Sequence, residues 1–140
     1  MSTEKSDYML LFRGTDWGNE LSPEQIQKVA TDWMAWFERL RKQGKVTSGH
    51  PLMNEGKVVS GKKGRMVVDG PFAESKEAIG GYFYLRVDSM EEAIAIAQEC
   101  PGLEFGAEVE VRPVADQCGI MARAKLSDAE LARFAHPIGA

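Results

Sequence analysis

The sequence predicts an α+β domain: a largely antiparallel sheet, two helices on one of its faces, and a β-hairpin between two βαβ-like halves. Three observations predict it. Apolar residues recur at helical spacing in two segments, Ile26 to Leu40 and Met90 to Ala97. Short runs rich in β-branched and aromatic residues flank both. Between the halves, Gly61-Lys62-Lys63-Gly64 separates two further short runs, as an exposed hairpin tip would.

Taken in order, Asp7 to Arg13 reads as a first strand, apolar through Tyr8-Met9-Leu10-Leu11-Phe12 and therefore central in a sheet. Gly14 to Asn19 is a loop. Ser22-Pro23-Glu24-Gln25 writes a helix start: Ser22 caps, Pro23 loses nothing at the first helical position, and Gln25 completes a capping box. Ile26, Val29, Trp33, Phe37 and Leu40 form the expected inward stripe, with Trp36 and Trp17 expected on the open side or at a partner interface. Arg39, Arg41 and Lys42 suit the helix's negative end, and Gly44 stops it.

Lys45 to Ser48 is a short strand followed by a Gly49-His50-Pro51 loop. Lys57 to Ser60 and Arg65 to Val68 are the hairpin arms. Gly80-Gly81 introduces a strong strand, Tyr82 to Val87. Ser89 and Glu92 open the second helix, with Met90, Ala93, Ile94 and Ala97 inward and Cys100-Pro101-Gly102 at its end. Glu108 to Val114 alternates polar and apolar residues, a last strand with one packed face. Residues 1–114 therefore make one domain, and residues 115–140 an extension that packs on it or on a partner. Ser127-Asp128-Ala129-Glu130 caps a helix in that extension, with Leu131 and Phe134 as its apolar edge.

Two helices cover one sheet face. Tyr8 to Phe12 and Tyr82 to Val87 carry apolar residues on both strand parities, so the other face needs a cover, and a homodimer is expected.

Several stretches carry a family resemblance: Tyr8-Met9-Leu10-Leu11, the run from Asp69-Gly70-Pro71-Phe72 to Glu77, Gly80-Gly81-Tyr82-Phe83, and Glu110-Val111-Arg112-Pro113. Over roughly Tyr8 to Val114 the chain resembles the YCII-related, or DGPF-domain, proteins. The resemblance implies a ferredoxin-like domain that assembles as a dimeric α/β barrel, and it implies no particular reaction. Some relatives carry a histidine in the first helix and an aspartate near the next strand as a proposed catalytic pair. Here the helix from Ser22 to Gln43 contains no histidine.

Asp69 is the candidate that the chain itself offers. In Asp69-Gly70-Pro71, aspartate can bond nearby backbone N–H groups, glycine admits unusual dihedrals, and proline fixes φ. Such a turn is complete as structure. It can also hold a carboxylate rigidly at a cleft, where Asp69 would act as general base or bind an amine or hydroxyl. Phe72, Tyr82 and Tyr84 would then form apolar wall and Lys76 a counter-charge. His50 can transfer protons near neutrality, and a nearby Asp69 would fix its tautomer. Catalytic candidates are thus Asp69 and His50, and ligand-binding candidates Phe72, Lys76, Tyr82 and Tyr84.

Three functions compete: a small-molecule-binding homodimer of regulatory or accessory role, an enzyme using Asp69 and His50 for proton transfer or hydrolysis, and a structural or interaction module. Composition narrows the field around them. The net charge of −4 provides no basic field for nucleic acid. The apolar run near the start is too short for a signal peptide, and no segment approaches the roughly 20 apolar residues of a membrane span. Two cysteines without CxxC spacing point to the reducing cytoplasm and free thiols. Two histidines and two cysteines without ligand spacing, and a Gly-Lys-Lys-Gly turn without Walker spacing, lead us to expect no metal or organic cofactor.

Overall fold

The computed structural model describes residues 6–70, 77–116 and 118–135, with positions 134 and 135 by backbone alone. Strand β1 (Ser6–Arg13) alternates, burying Tyr8 and Leu10 while Asp7, Met9 and Leu11 stay partly exposed. Helix α1 (Pro23–Lys42) begins with the expected capping box: the Gln25 N–H donates to Ser22 Oγ (3.2 Å), and the Ser22 N–H donates to Gln25 Oε1 (2.9 Å). Its far end closes in a Schellman motif. Gly44 takes φ 73°, its N–H reaches the Arg41 carbonyl (3.0 Å), and the Lys45 N–H reaches that of Leu40 (2.9 Å).

Strand β2 (Val46–Pro51), the hairpin arms β3 (Lys57–Ser60) and β4 (Met66–Asp69), and strand β5 (Ile79–Val87) follow. Helix α2 (Met90–Ala97) is capped by Ser89, whose hydroxyl accepts from the Glu92 N–H. Strand β6 (Glu108–Pro113) ends the sheet, and two short helices, α3 (Gly119–Arg123) and α4 (Asp128–Ala135), form the tail. Ser127 and Glu130 cap α4 reciprocally, as the sequence predicts, whereas α3 has no strong periodic signal and is an addition to it.

The main sheet has the order β2-β5-β1-β6, every neighbouring pair antiparallel, while β3 and β4 form a separate two-stranded sheet. Hence β1 and β2 run parallel with β5 between them, and β5 and β6 run parallel with β1 between them. Each parallel pair is joined by a helix. The fold is α+β with an open sheet, as predicted; the single chain closes no barrel.

The core lies on the helix side, where Leu10, Leu85, Val87, Leu40 and Trp36 are nearly or fully buried. The register puts Phe12 and Val109, and Leu10 and Val111, side by side on that face. Four expectations change here. Trp36, expected on the open side, is 3% exposed; its indole lies 5.0 Å from the Phe83 ring, while Trp33 packs only partly against the core and Ile26 is exposed. The helix turns the line Val29-Trp36-Leu40 straight down, so that Trp33 and Phe37 flank it. In α2, Ile96 is buried and Ile94 exposed, because Ile96 shares a face with Ala93 and Ala97 whereas Ile94 falls to the side. That helix ends at Ala97, and Pro101–Phe105 forms a separate 3₁₀ turn. Finally, His50 and Pro51 belong to β2 and not to a loop. Proline is tolerated there because it ends a strand at the sheet's edge.

Among the described residues, no helix is long and apolar enough to cross a membrane. Both cysteines are free thiols.

Candidate functional site

Glycines create the site. Gly81 and Phe83 alternate onto the helix-covered face of β5, and Gly49 of β2 pairs with Phe83. The strands approach tightly there. A Cβ on Gly81 would sit 2.9 Å from the His50 carbonyl oxygen, and one on Gly49 would sit 2.7 Å from the Phe83 ring. Gly49 and Gly81 thus present no side chain to α1, whose Trp33 and Phe37 pack instead on Phe12 and Phe83. A cavity of about 580 Å³ remains.

Its walls are aromatic: Phe12 from β1, Trp33 and Phe37 from α1, Phe83 from β5, and Trp17 from the loop between β1 and α1. Trp33 is the hub. Phe12 meets it edge-on with centroids 5.0 Å apart, and Trp17 lies nearly parallel, 8° between planes and 6.3 Å between centroids. Trp17 is held from behind by Gly102, where any Cβ would come within 3.1 Å of the indole. The polar groups at the cavity include Thr15, Asn54, Glu38 and His50. Arg41 donates two hydrogen bonds to the Glu38 carboxylate, 2.9 and 3.2 Å, and these hold Glu38 below the usual carboxylate range.

His50 and Tyr82 are direct cross-strand partners. His50 Nδ1 lies 2.8 Å from the Tyr82 hydroxyl, which donates when Nδ1 is unprotonated. Both residues border the cavity, while the strand alternation turns their side chains to the sheet face opposite Gly81 and Phe83. The structure thus joins two of the predicted site residues. Tyr84 lies two positions further along β5, where its hydroxyl donates to Asp7 Oδ2 at 2.8 Å. Burial, reinforced by this bond and by the Asp7 charge, pushes its phenol up to about 12.

Asp69 lies elsewhere. It ends β4 in the separate hairpin, exposed and ion-paired with Lys57 across the ladder. It is not among the residues lining the aromatic cavity. Phe72 and Lys76 lie outside the described residues. Among the described residues, no group of three histidine, cysteine, aspartate or glutamate side chains could hold a metal ion.

Sequence reasoning did not single out Phe12, Trp17, Trp33, Phe37 or Phe83 as candidate site residues. The signal was present in the glycines: Gly80-Gly81 falls inside a strand, where glycine marks a close approach or missing wall, and Gly14 and Gly18 bracket Trp17.

The two cysteines differ in character. Burial pushes the Cys100 thiol up, whereas hydrogen bonds from the Met121 and Ile120 backbone hold the exposed Cys118 thiol down. Neither lines the cavity.

A search of curated proteins finds no match to this chain. The YCII-related domain model, however, matches residues 8–116, from β1 to just beyond β6, and by that match the chain belongs to the YCII-related domain family.

Proposed function

We propose that the protein is a small-molecule-binding homodimer of accessory or regulatory role, whose ligand occupies the aromatic cavity beneath α1. The cavity carries this reading. Its volume of about 580 Å³ falls in the range of ligand sites, roughly 300–1,000 Å³, and its walls are apolar with a few convergent polar groups.

The dimer reading rests on the sheet's other face. The order β2-β5-β1-β6 with antiparallel neighbours supports reading the domain as ferredoxin-like. No helix is needed on the face that carries Met9, Leu11, Tyr82 and Tyr84, all partly exposed. Around them sit Asp7, Arg86, Arg13 and Glu110, already paired with one another: Arg86 with Asp7 at 3.5 Å and Arg13 with Glu110 at 3.9 Å. Two such faces packed about a twofold axis would form a dimeric α/β barrel and bury about 800 Å² per protomer.

The test is to titrate neutral aromatic compounds, indole first, into isotope-labelled protein and map the NMR shifts. Shifts at the Trp17 and Trp33 indoles are expected. Gly18→Leu should abolish them without unfolding, because a Cβ on Gly18 meets nothing within 4 Å and the larger side chain would occupy the mouth. Binding that survives this substitution, or shifts confined to another surface, would exclude the site. Sedimentation equilibrium tests assembly, and a folded monomer at micromolar concentration would exclude the dimer.

A second reading is an enzyme in which His50 transfers a proton. The His50–Tyr82 hydrogen bond beside the cavity favours it. An Asp69–His50 pair would need a rearrangement or a second protomer, since here His50 bonds Tyr82 and Asp69 pairs with Lys57.

A further inference from the structure

We infer that the cavity selects a cationic ligand, an alkylammonium or quaternary ammonium group held against aromatic faces. The inference rests on the ligand-binding reading above and names the chemical class of that ligand.

Two independent features carry it. The first is the wall. Trp17, Trp33, Phe12 and Phe37 all border one space, and the face of an aromatic ring attracts a cation through its quadrupole, tryptophan most strongly. The second is the charge distribution. Among the described lining residues, Glu38 is the sole carboxylate, and there is no lysine or arginine. The adjoining cavity shares Thr15 and Asn54 with this one, adds Glu55 and Glu77, and again presents no lysine or arginine among its described lining. Glu38 shares its charge with Arg41, and the other charged groups on the described lining of the two cavities are carboxylates, a distribution that disfavours an anion and suits a cation.

Glu38 is suited to the task. Arg41, which does not line the cavity, takes two of the roughly four hydrogen bonds that a carboxylate can accept and leaves the others for a ligand. An anion would meet the opposite conditions: the lining offers it only His50 as a potential cation, and that ring is engaged by Tyr82. A neutral ligand would bind by area alone and make no use of Glu38.

The decisive comparison is between choline and its neutral isostere 3,3-dimethylbutan-1-ol, which replaces N⁺ by carbon in the same shape. Each is titrated into the full-length protein at matched ionic strength, with tryptophan fluorescence and calorimetry as readouts. Choline is expected to bind about tenfold more tightly, a factor within reach of a desolvated cation–π contact. Glu38→Gln should reduce choline affinity severalfold and leave the isostere unchanged, and Trp33→Leu should weaken both. Glu38 is exposed, so its substitution should not disturb folding, which circular dichroism checks. Equal affinity for choline and the isostere would overturn the cationic inference while leaving the cavity a ligand site. If indole bound but neither choline nor the isostere did, the inference would fall alone. If none of the three bound, both readings would fall together.

Discussion

The main sheet and the β3–β4 hairpin are made of similar residues and end in opposite environments. Leu10 and Leu85 in the sheet are fully buried, whereas every residue of β3 and β4 is exposed, Val59 at 61% and Val67 at 57%. Local sequence explains strand formation in both: β-branched residues on either side of a turn. It does not explain burial. The sheet is covered because Trp36, Leu40, Ala93 and Ile96 descend on it from two helices, and among the described residues no helix covers the hairpin. A strand run is therefore a statement about backbone shape, and the core belongs to whichever run a helix can reach.

The strongest way to break that contrast is truncation on each side. Leu85→Ala should destabilise the protein by about 2 to 5 kcal/mol in chemical denaturation, the range for a buried leucine. Val67→Ala in the hairpin should cost no more than about 0.5 kcal/mol, the usual scale of surface substitutions. If the two costs were alike, the hairpin would have to be buried in the protein as it exists in solution, and the natural cover would be a second copy.

Hydrogen exchange sharpens the same comparison without mutation. An isolated two-stranded hairpin is marginally stable in water, so the amides of β3 and β4 should exchange through local opening. Those of β1 and β5, central in the sheet, should exchange only with global unfolding. Slow exchange in Val58 and Val68 would mean that assembly clamps the hairpin.

A smaller effect is expected where α1 begins to cover the sheet. Ser22→Ala removes the acceptor for the Gln25 N–H and should cost about 1 kcal/mol in thermal or chemical denaturation. Loss well below that value would mean the helix is held by Trp36 and Leu40 packing alone.

Tyr84, on the sheet face that the helices leave open, couples folding to pH. The Tyr84 phenol is raised in the folded state from an ordinary 10 to about 12, chiefly by burial, so folding favours its protonated form. Its contribution to stability is complete below pH 10 and disappears as pH rises through about 12. Near-ultraviolet titration of Tyr84→Phe should lack the latest phenolate signal of the native protein. A late signal that persists in the variant would assign it to another tyrosine.

The order of elements was legible in the sequence because each carries its own punctuation: Ser22 and Gln25, Gly44, the Gly61 to Gly64 tip, Ser89, Pro113. The inward direction of each helix was less so. Trp33 and Trp36 both fit an apolar stripe, and only the docking angle on the sheet decides that Trp36 goes to the core and Trp33 to the cavity wall. The site was half legible. His50 and Tyr82 were chosen for their chemistry and prove to be cross-strand neighbours. The cavity beside them was hidden, since its lining comes from β1, α1, β2, β5 and the loop that carries Trp17, far apart in the chain. Asp69 drew attention through its turn, yet a turn's rigidity says nothing about which sheet it belongs to.

Asp69 provides the smallest expected effect on stability and the sharpest test of the contrast between the two regions. Its carboxylate and the Lys57 ammonium are 80% and 65% exposed, so the pair is solvated and screened. Exposed pairs contribute about 0 to 1 kcal/mol, and Asp69→Asn keeps the side chain's shape and much of its hydrogen-bonding capacity. Its denaturation midpoint should therefore shift little, and the shift should shrink further in high salt. On the ligand-binding reading, affinity for an aromatic probe should also stay unchanged, because Asp69 does not border the cavity. On the enzymatic reading, the same substitution and His50→Gln should each abolish turnover at unaltered stability, which requires the hairpin to approach β2 by rearrangement or from a second protomer. A stability-neutral Asp69→Asn that weakens ligand binding would show that the hairpin reaches the site only in the assembled protein, and would join the two regions that the protomer keeps apart.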